Sequence, residues 1–204
     1  MTNYLHHGDL PEDIDFGTSV AIDTETMGLQ PHRDRLCLVQ LSSGDGHAHL
    51  VKFDGKSYDA PRLKALIGDP NVLKLFHFGR FDLAVMYHYL GVMPEPIYCT
   101  KIAAKLIRTF TDKHGLKNLC KDLLDIDISK QQQTSDWGAE EYCDAQLDYA
   151  AGDVLYLHAI KEKLDAALVR EGRAELAQAA FEFLPTRAKL DLLGWAEQDI
   201  FSHH

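Results

Sequence analysis

Three short apolar runs lying close together, Ser19–Asp23, Leu36–Leu41 and His49–Phe53, constrain this chain more than any other feature. Each is too short for a helix that buries one face, and each has the composition of a strand. The links between them, one holding Gly28 and Pro31 and the other reading Ser42-Ser43-Gly44-Asp45-Gly46, are turn chemistry. Strands joined this tightly pair antiparallel, because a parallel return needs a long crossover. Downstream the apolar spacing alternates: a helix over Pro61–Gly68, a strand over Val72–Phe76, a helix over Arg80–Leu90 and a strand over Ile97–Cys99. Helices follow, among them a long one from about Asp144 to Arg170. The order predicts an α/β fold, a mixed five-stranded sheet flanked by helices.

The polar run Lys130-Gln131-Gln132-Gln133-Thr134-Ser135 reads as a loop. From 174 onward apolar residues recur at helical spacing (Leu176, Ala180, Phe183, Leu184, Leu190, Leu193, Trp195), so a packed helical tail is expected. No repeat or Pro/Gly/Ser-rich linker divides the chain, and residues 1–204 are expected to form one domain, with 174–204 as its tail.

Charge narrows the function. The 204 residues carry 31 Asp and Glu against 21 Lys and Arg, a net −10. That balance argues against gripping a long nucleic acid, which requires many phosphates to be neutralised. It does not exclude a small anionic substrate held through a metal ion in a local pocket. No apolar run is long enough to cross a membrane, and residues 1–13 lack the basic start and apolar stretch of a secretory signal. Cys37, Cys99, Cys120 and Cys143 are irregularly spaced with no C-x-x-C, so reduced thiols in a cytoplasmic protein are expected. The pairs His6–His7 and His203–His204 are given no role.

Three groups of acids carry the chemistry. In Asp23-Thr24-Glu25 the carboxylates stand two apart where an apolar strand leaves the core, so they share a face. Acids held together repel unless a cation lies between them; a surface turn would give the same letters. Tyr149 and Asp153 stand one turn apart within the long helix, flanked by Leu147, Ala151, Val154 and Leu155. Gly152 between them opens room for another chain segment or a ligand, although an acid at the margin of an amphipathic face fits the same pattern. In His77-Phe78-Gly79-Arg80-Phe81-Asp82-Leu83, Asp82 falls in the first turn of a helix, which favours an acid for its own sake. His77 at a strand end fits a structural role as readily as a substrate contact. Four carboxylates with oxygen-only chemistry suit Mg²⁺ or Mn²⁺, two ions per site, and such a pair activates water against a phosphodiester. Tyr149 is placed to orient that water but is a poor base, since a phenol titrates near ~10.

D-x-E on the first strand, F-D-L after a middle strand and Y-x-x-x-D on a late helix resemble the three motifs of the DEDDy 3′–5′ exonucleases, whose fold is ribonuclease-H-like. The words around them, Ala21 to Thr26, His77 to Leu83, Ser135-Asp136-Trp137 and Tyr149 to Val154, are similar to the ribonuclease D branch. The whole chain, with Phe183-Leu184-Pro185-Thr186-Arg187 and Gly194-Trp195-Ala196-Glu197, resembles its short members that remove diribonucleotides. The resemblance implies that Asp23, Glu25, Asp82 and Asp153 bind the metal ions and that Tyr149 orients water. It implies that Leu29 is an apolar wedge between two bases, where composition alone leaves ordinary core filling equally open. It also implies a ring-like homo-oligomer, an octamer. Two departures from full-length ribonuclease D stand out. The chain is too short for the helical domains that follow the catalytic domain there, and Gly138-Ala139-Glu140-Glu141 replaces an arginine–proline segment. Both count against structured or long RNA.

Thr26, Leu29, His77, Arg80, Gln133 and Trp137 are the candidate substrate contacts, Trp137 being placed at a helix start behind Ser135 or Asp136. Lys101, Lys105 and Arg108 fall on one helical stripe, with Lys113 and Lys117 beyond it against a single Asp112. The stripe is either a solvated face, or a guide for phosphates or a subunit contact. Arg187, Trp195 and Phe201 in the tail would close a pocket or join subunits. The expected activity is thus hydrolysis of short RNA, diribonucleotides above all, to nucleoside 5′-monophosphates, with no membrane or long duplex as partner. A broader exonuclease on longer RNA or single-stranded DNA is the alternative, and a non-catalytic scaffold a remote one.

Overall fold

The computed structural model describes residues 2–129 and 131–203. Met1, Lys130 and His204, which belong to stretches read above, lie outside the described residues. Six strands form one sheet: β1 (Thr2–His7), β2 (Ser19–Thr26), β3 (Leu36–Ser42), β4 (His47–Lys52), β5 (Leu73–Phe76) and β6 (Ile97–Cys99), in the spatial order β1-β4-β3-β2-β5-β6. The meander is present, β2 with β3 and β3 with β4 being antiparallel, while β1, β5 and β6 each join parallel. Among the described residues the sheet therefore has six strands, not five. β1 escapes a sequence reading because it is an edge strand, largely exposed, without apolar alternation. Its His6 stacks on His49 of β4, their ring nitrogens 3.0 Å apart, so the first histidine pair is part of the sheet.

β3 is buried along its whole length and carries the centre of the core. Around the sheet lie α1 (Pro61–Gly68), α2 (Gly79–Leu90), α3 (Thr100–Ile107), α4 (Leu116–Leu124), α5 (Asp144–Gly152), α6 (Leu157–Arg170) and α7 (Ala174–Leu190). α2 begins at a tight corner. Phe78 takes the left-handed conformation (φ 68°), and a Cβ on Gly79 would come within 2.7 Å of the Phe76 side chain, so only glycine fits there.

Four local expectations are corrected. The long helix 144–170 is broken: α5 ends at Gly152, and the N–H groups of Val154 and Leu155 both bond to the Ala151 carbonyl before α6 begins. Glycine weakens the helix there, and Asp153 leaves it as the capping residue. Trp137 starts no helix, since residues 131–143 run as turns and bends, held by Lys52, Arg35 and Gln146. Arg108 is not on a cationic stripe: α3 stops at Ile107, and Arg108 is buried and ion-paired with Asp122. In the tail the packed face is Ala177, Phe181, Leu184 and Ala188: Leu184 is buried as expected, whereas Leu176 and Leu193 are exposed. The cysteines are free thiols, as expected, and among the described residues no helix is long and apolar enough to cross a membrane.

Candidate active site

β2 delivers the first two acids. Asp23 and Glu25 share one face near its C-terminal end, where a register shift against β3 re-aims the chain between Glu25 and Thr26. Asp153 arrives from the break after α5. One carboxylate oxygen from each of Asp23, Glu25 and Asp153 lies within 4.8 Å of the other two. Asp82 enters from the first turn of α2, only 4% exposed, and accepts a 2.6 Å hydrogen bond from the Thr24 hydroxyl. It is not one of the three converging acids, yet its charge acts on both Asp23 and Glu25.

The electrostatics of the cluster are those of a site built around positive charge. Burial first, then the neighbouring acids Asp82, Asp153 and Glu25, hold the Asp23 carboxyl well above the usual carboxylate range. Burial, then Asp153 and Asp82, push Glu25 up to about 9, and burial pushes Asp82 up to about 7 despite its hydrogen bond from Thr24. Acids this close fit a divalent cation with oxygen ligands. The Tyr149 phenol is raised too, by burial, by Asp153, Glu25 and Asp23, and by its hydrogen bond to Asp153. It therefore stays protonated and serves as a hydrogen-bond donor beside the acids.

A cavity of about 360 Å³ opens beside Tyr149, Gly152 and Asp153 and is also lined by Ile128, Ser129 and Gln132. A Cβ on Gly152 would meet nothing within 4 Å, so the glycine faces open space and no chain segment. Leu29 is 79% exposed, which removes core filling as its role.

The remaining candidates divide. His77 Nδ1 lies 2.9 Å from the Thr100 hydroxyl, and Thr26 donates its hydroxyl to the Gly28 carbonyl. Arg80 is turned toward the tail, in a two-point ion pair with Asp191 and bonded to the Ala196 carbonyl. Gln133 is exposed on the loop, whereas Trp137 is 3% exposed and packs between Tyr142 and Tyr149. Two residues near the acids were missed: Thr24, noted above, and Gln40, which is buried opposite Asp23 and donates to its Oδ2 at 3.3 Å. A lone glutamine inside the apolar run Leu36–Leu41 was the available signal.

Comparison with known proteins agrees with this geometry. A family model described as 3′–5′ exonuclease matches residues 8–168. Ribonuclease D of Gluconacetobacter diazotrophicus is 36% identical over 156 residues, covering 76% of this chain and 39% of that protein. The chain thus spans about two-fifths of the length of the curated relatives it matches. Among solved structures, Brucella melitensis NrnC with bound Mg²⁺ is 55% identical at a TM-score of 0.96, and the same protein bound to pGG is 56% identical at 0.97. Both alignments cover 100% of each chain. Escherichia coli RNase D superposes at a TM-score of 0.75 with 28% identity, over 84% of this chain and 45% of that one.

Proposed function

This chain belongs to the 3′–5′ exonuclease family, with its ribonuclease-H-like fold, and from that premise we propose that it is a metal-dependent 3′–5′ exoribonuclease acting on short RNA, diribonucleotides above all, and releasing nucleoside 5′-monophosphates. The observation that carries the reading is the convergence of Asp23, Glu25 and Asp153 beside a protonated Tyr149. Full-length similarity to a protein solved with pGG supports the short substrate.

Asp23, Glu25, Asp82 and Asp153 would hold Mg²⁺ or Mn²⁺, two ions per site, supplying charge neutralisation at the phosphate and a more acidic attacking water. The chain's own groups do the rest. Tyr149 orients the water through its hydroxyl oxygen and does not act as the base, since its raised phenol, bonded to Asp153, keeps its own proton. Gln40 and Thr24 fix the Asp23 and Asp82 carboxylates, so that their oxygens need no reorganisation during the reaction. Leu29, on its exposed loop, is the apolar surface offered to the bases, and Thr26, His77 and Gln133 are the polar contacts of the substrate. Arg80 and Trp137 contribute by holding structure, Arg80 on the tail and Trp137 on Tyr149.

The single domain 1–204, a cytoplasmic location and assembly of several copies, an octameric ring by resemblance, belong to the same proposal. Leu193, Ile200 and Phe201, each exposed on the tail, support the assembly. The test is cleavage of a 5′-phosphorylated RNA series from dinucleotide to heptanucleotide with Mn²⁺. The dinucleotide is expected to be hydrolysed fastest. Equal rates at every length would leave the broader exonuclease as the correct reading.

A further inference from the structure

Lys52 ends β4 with its side chain folded inward, 9% exposed, and among the described residues no carboxylate pairs with it. Its ammonium donates to the carbonyls of Ala139, at 2.8 Å, and Glu140, and lies 4.1 Å from the centre of the Tyr142 ring. Arg35 adds a longer bond, 3.4 Å, to the Gly138 carbonyl. The segment so held, Gly138-Ala139-Glu140-Glu141, has no large apolar side chain to anchor it, so its place depends on cations bonded to its backbone.

From this turn the contacts run to the site. The Tyr142 hydroxyl donates to the Trp137 carbonyl at 2.6 Å, and the two rings meet edge to face at 5.5 Å. Trp137 in turn packs on Tyr149, ring centres 6.1 Å apart. The indole N–H of Trp137 has no hydrogen-bond partner among the described residues, so packing alone sets where that ring stands. To orient a water Tyr149 must hold its hydroxyl to within a fraction of an ångström of its working position, and displacement of about 1 Å costs on the order of 100-fold in rate.

We propose that Lys52 is a positioning residue for Tyr149, acting through the 138–142 turn, Tyr142 and Trp137. The inference rests on the reading of Tyr149 as the water-orienting group. Lys52 bonds the turn and acts on the acids only through it, so its removal should lower kcat and leave KM nearly alone.

A double-mutant cycle decides. In the native background Lys52→Met is expected to lower kcat on a diribonucleotide about tenfold with KM within about twofold. In a Tyr149→Phe background the same change should cost less than about twofold, because the hydroxyl it positions is gone. Tyr142→Phe removes only the bond to the Trp137 carbonyl and should show a smaller loss with the same dependence on background. It gives the answer by itself if Lys52→Met does not melt cooperatively. Equal losses in both backgrounds, or no loss in either, would overturn the proposal while Tyr149→Phe remains impaired. Full activity of Tyr149→Phe would overturn the assignment of the tyrosine, and that of Lys52 with it.

Discussion

Glu25 shows what burial among other acids does to a carboxyl. Its carboxyl is held up to about 9, against an ordinary value of 4.5, so between those values the folded chain keeps a proton that the unfolded chain releases. The folded state is favoured most below about pH 4.5, and that advantage is lost as pH rises toward about 9. Chelator-treated protein should therefore melt at progressively lower temperature from mildly acidic to mildly alkaline buffer. Glu25→Gln should flatten that slope and raise the alkaline Tm, by about 2–4 °C for each kcal/mol recovered. A slope indifferent to the substitution would refute the electrostatic account. Tyr149→Phe should melt like the parent, while kcat falls about 100-fold, as measured by initial rates at saturating substrate.

The elements decide how these residues are brought together and how well sequence reveals it. Strands β2 to β6 could be read because each is an apolar run bounded by turn residues, and α1 matches its expected span, Pro61–Gly68. β1 was missed because pairing with β4, not its own pattern, makes it a strand. The break after Gly152 was missed because the apolar spacing continues across it; a turn inserted between two phased helices leaves little trace. Arg108 was read on a basic stripe and Arg80 as a substrate contact, since the pairing of a cation depends on partners elsewhere in the chain, Asp122 and Asp191. The acids and Tyr149 were legible from spacing, whereas Gln40 and Thr24 act through neighbours that only the fold supplies. Two predictions belong at this scale. Leu29→Ala should leave Tm unchanged, because the side chain is 79% exposed, yet reduce the preference for dinucleotide over longer RNA in competition assays. Asp191→Ala removes the shared partner of Arg80 and Arg187 and should cost about 2–3 kcal/mol in denaturant unfolding, loosening the turn around Trp195.

Across the whole molecule, acidity and chemistry are consistent with each other. A net −10 argues against long phosphate backbones, and four of the acids responsible are the proposed cation ligands. A dinucleotide offers few phosphates, so kcat/KM should fall with salt at a logarithmic slope of roughly −1, far shallower than a long-RNA enzyme would show. The central claim is that Asp23, Glu25, Asp82 and Asp153 form a divalent cation site. It is tested most directly by titrating the full chain with Mn²⁺ in the presence of nucleoside 5′-monophosphate, following loss of the free-ion paramagnetic resonance signal. The native chain should bind Mn²⁺, and Asp153→Asn should bind it at least about tenfold more weakly. Equal binding by the two proteins would contradict the account.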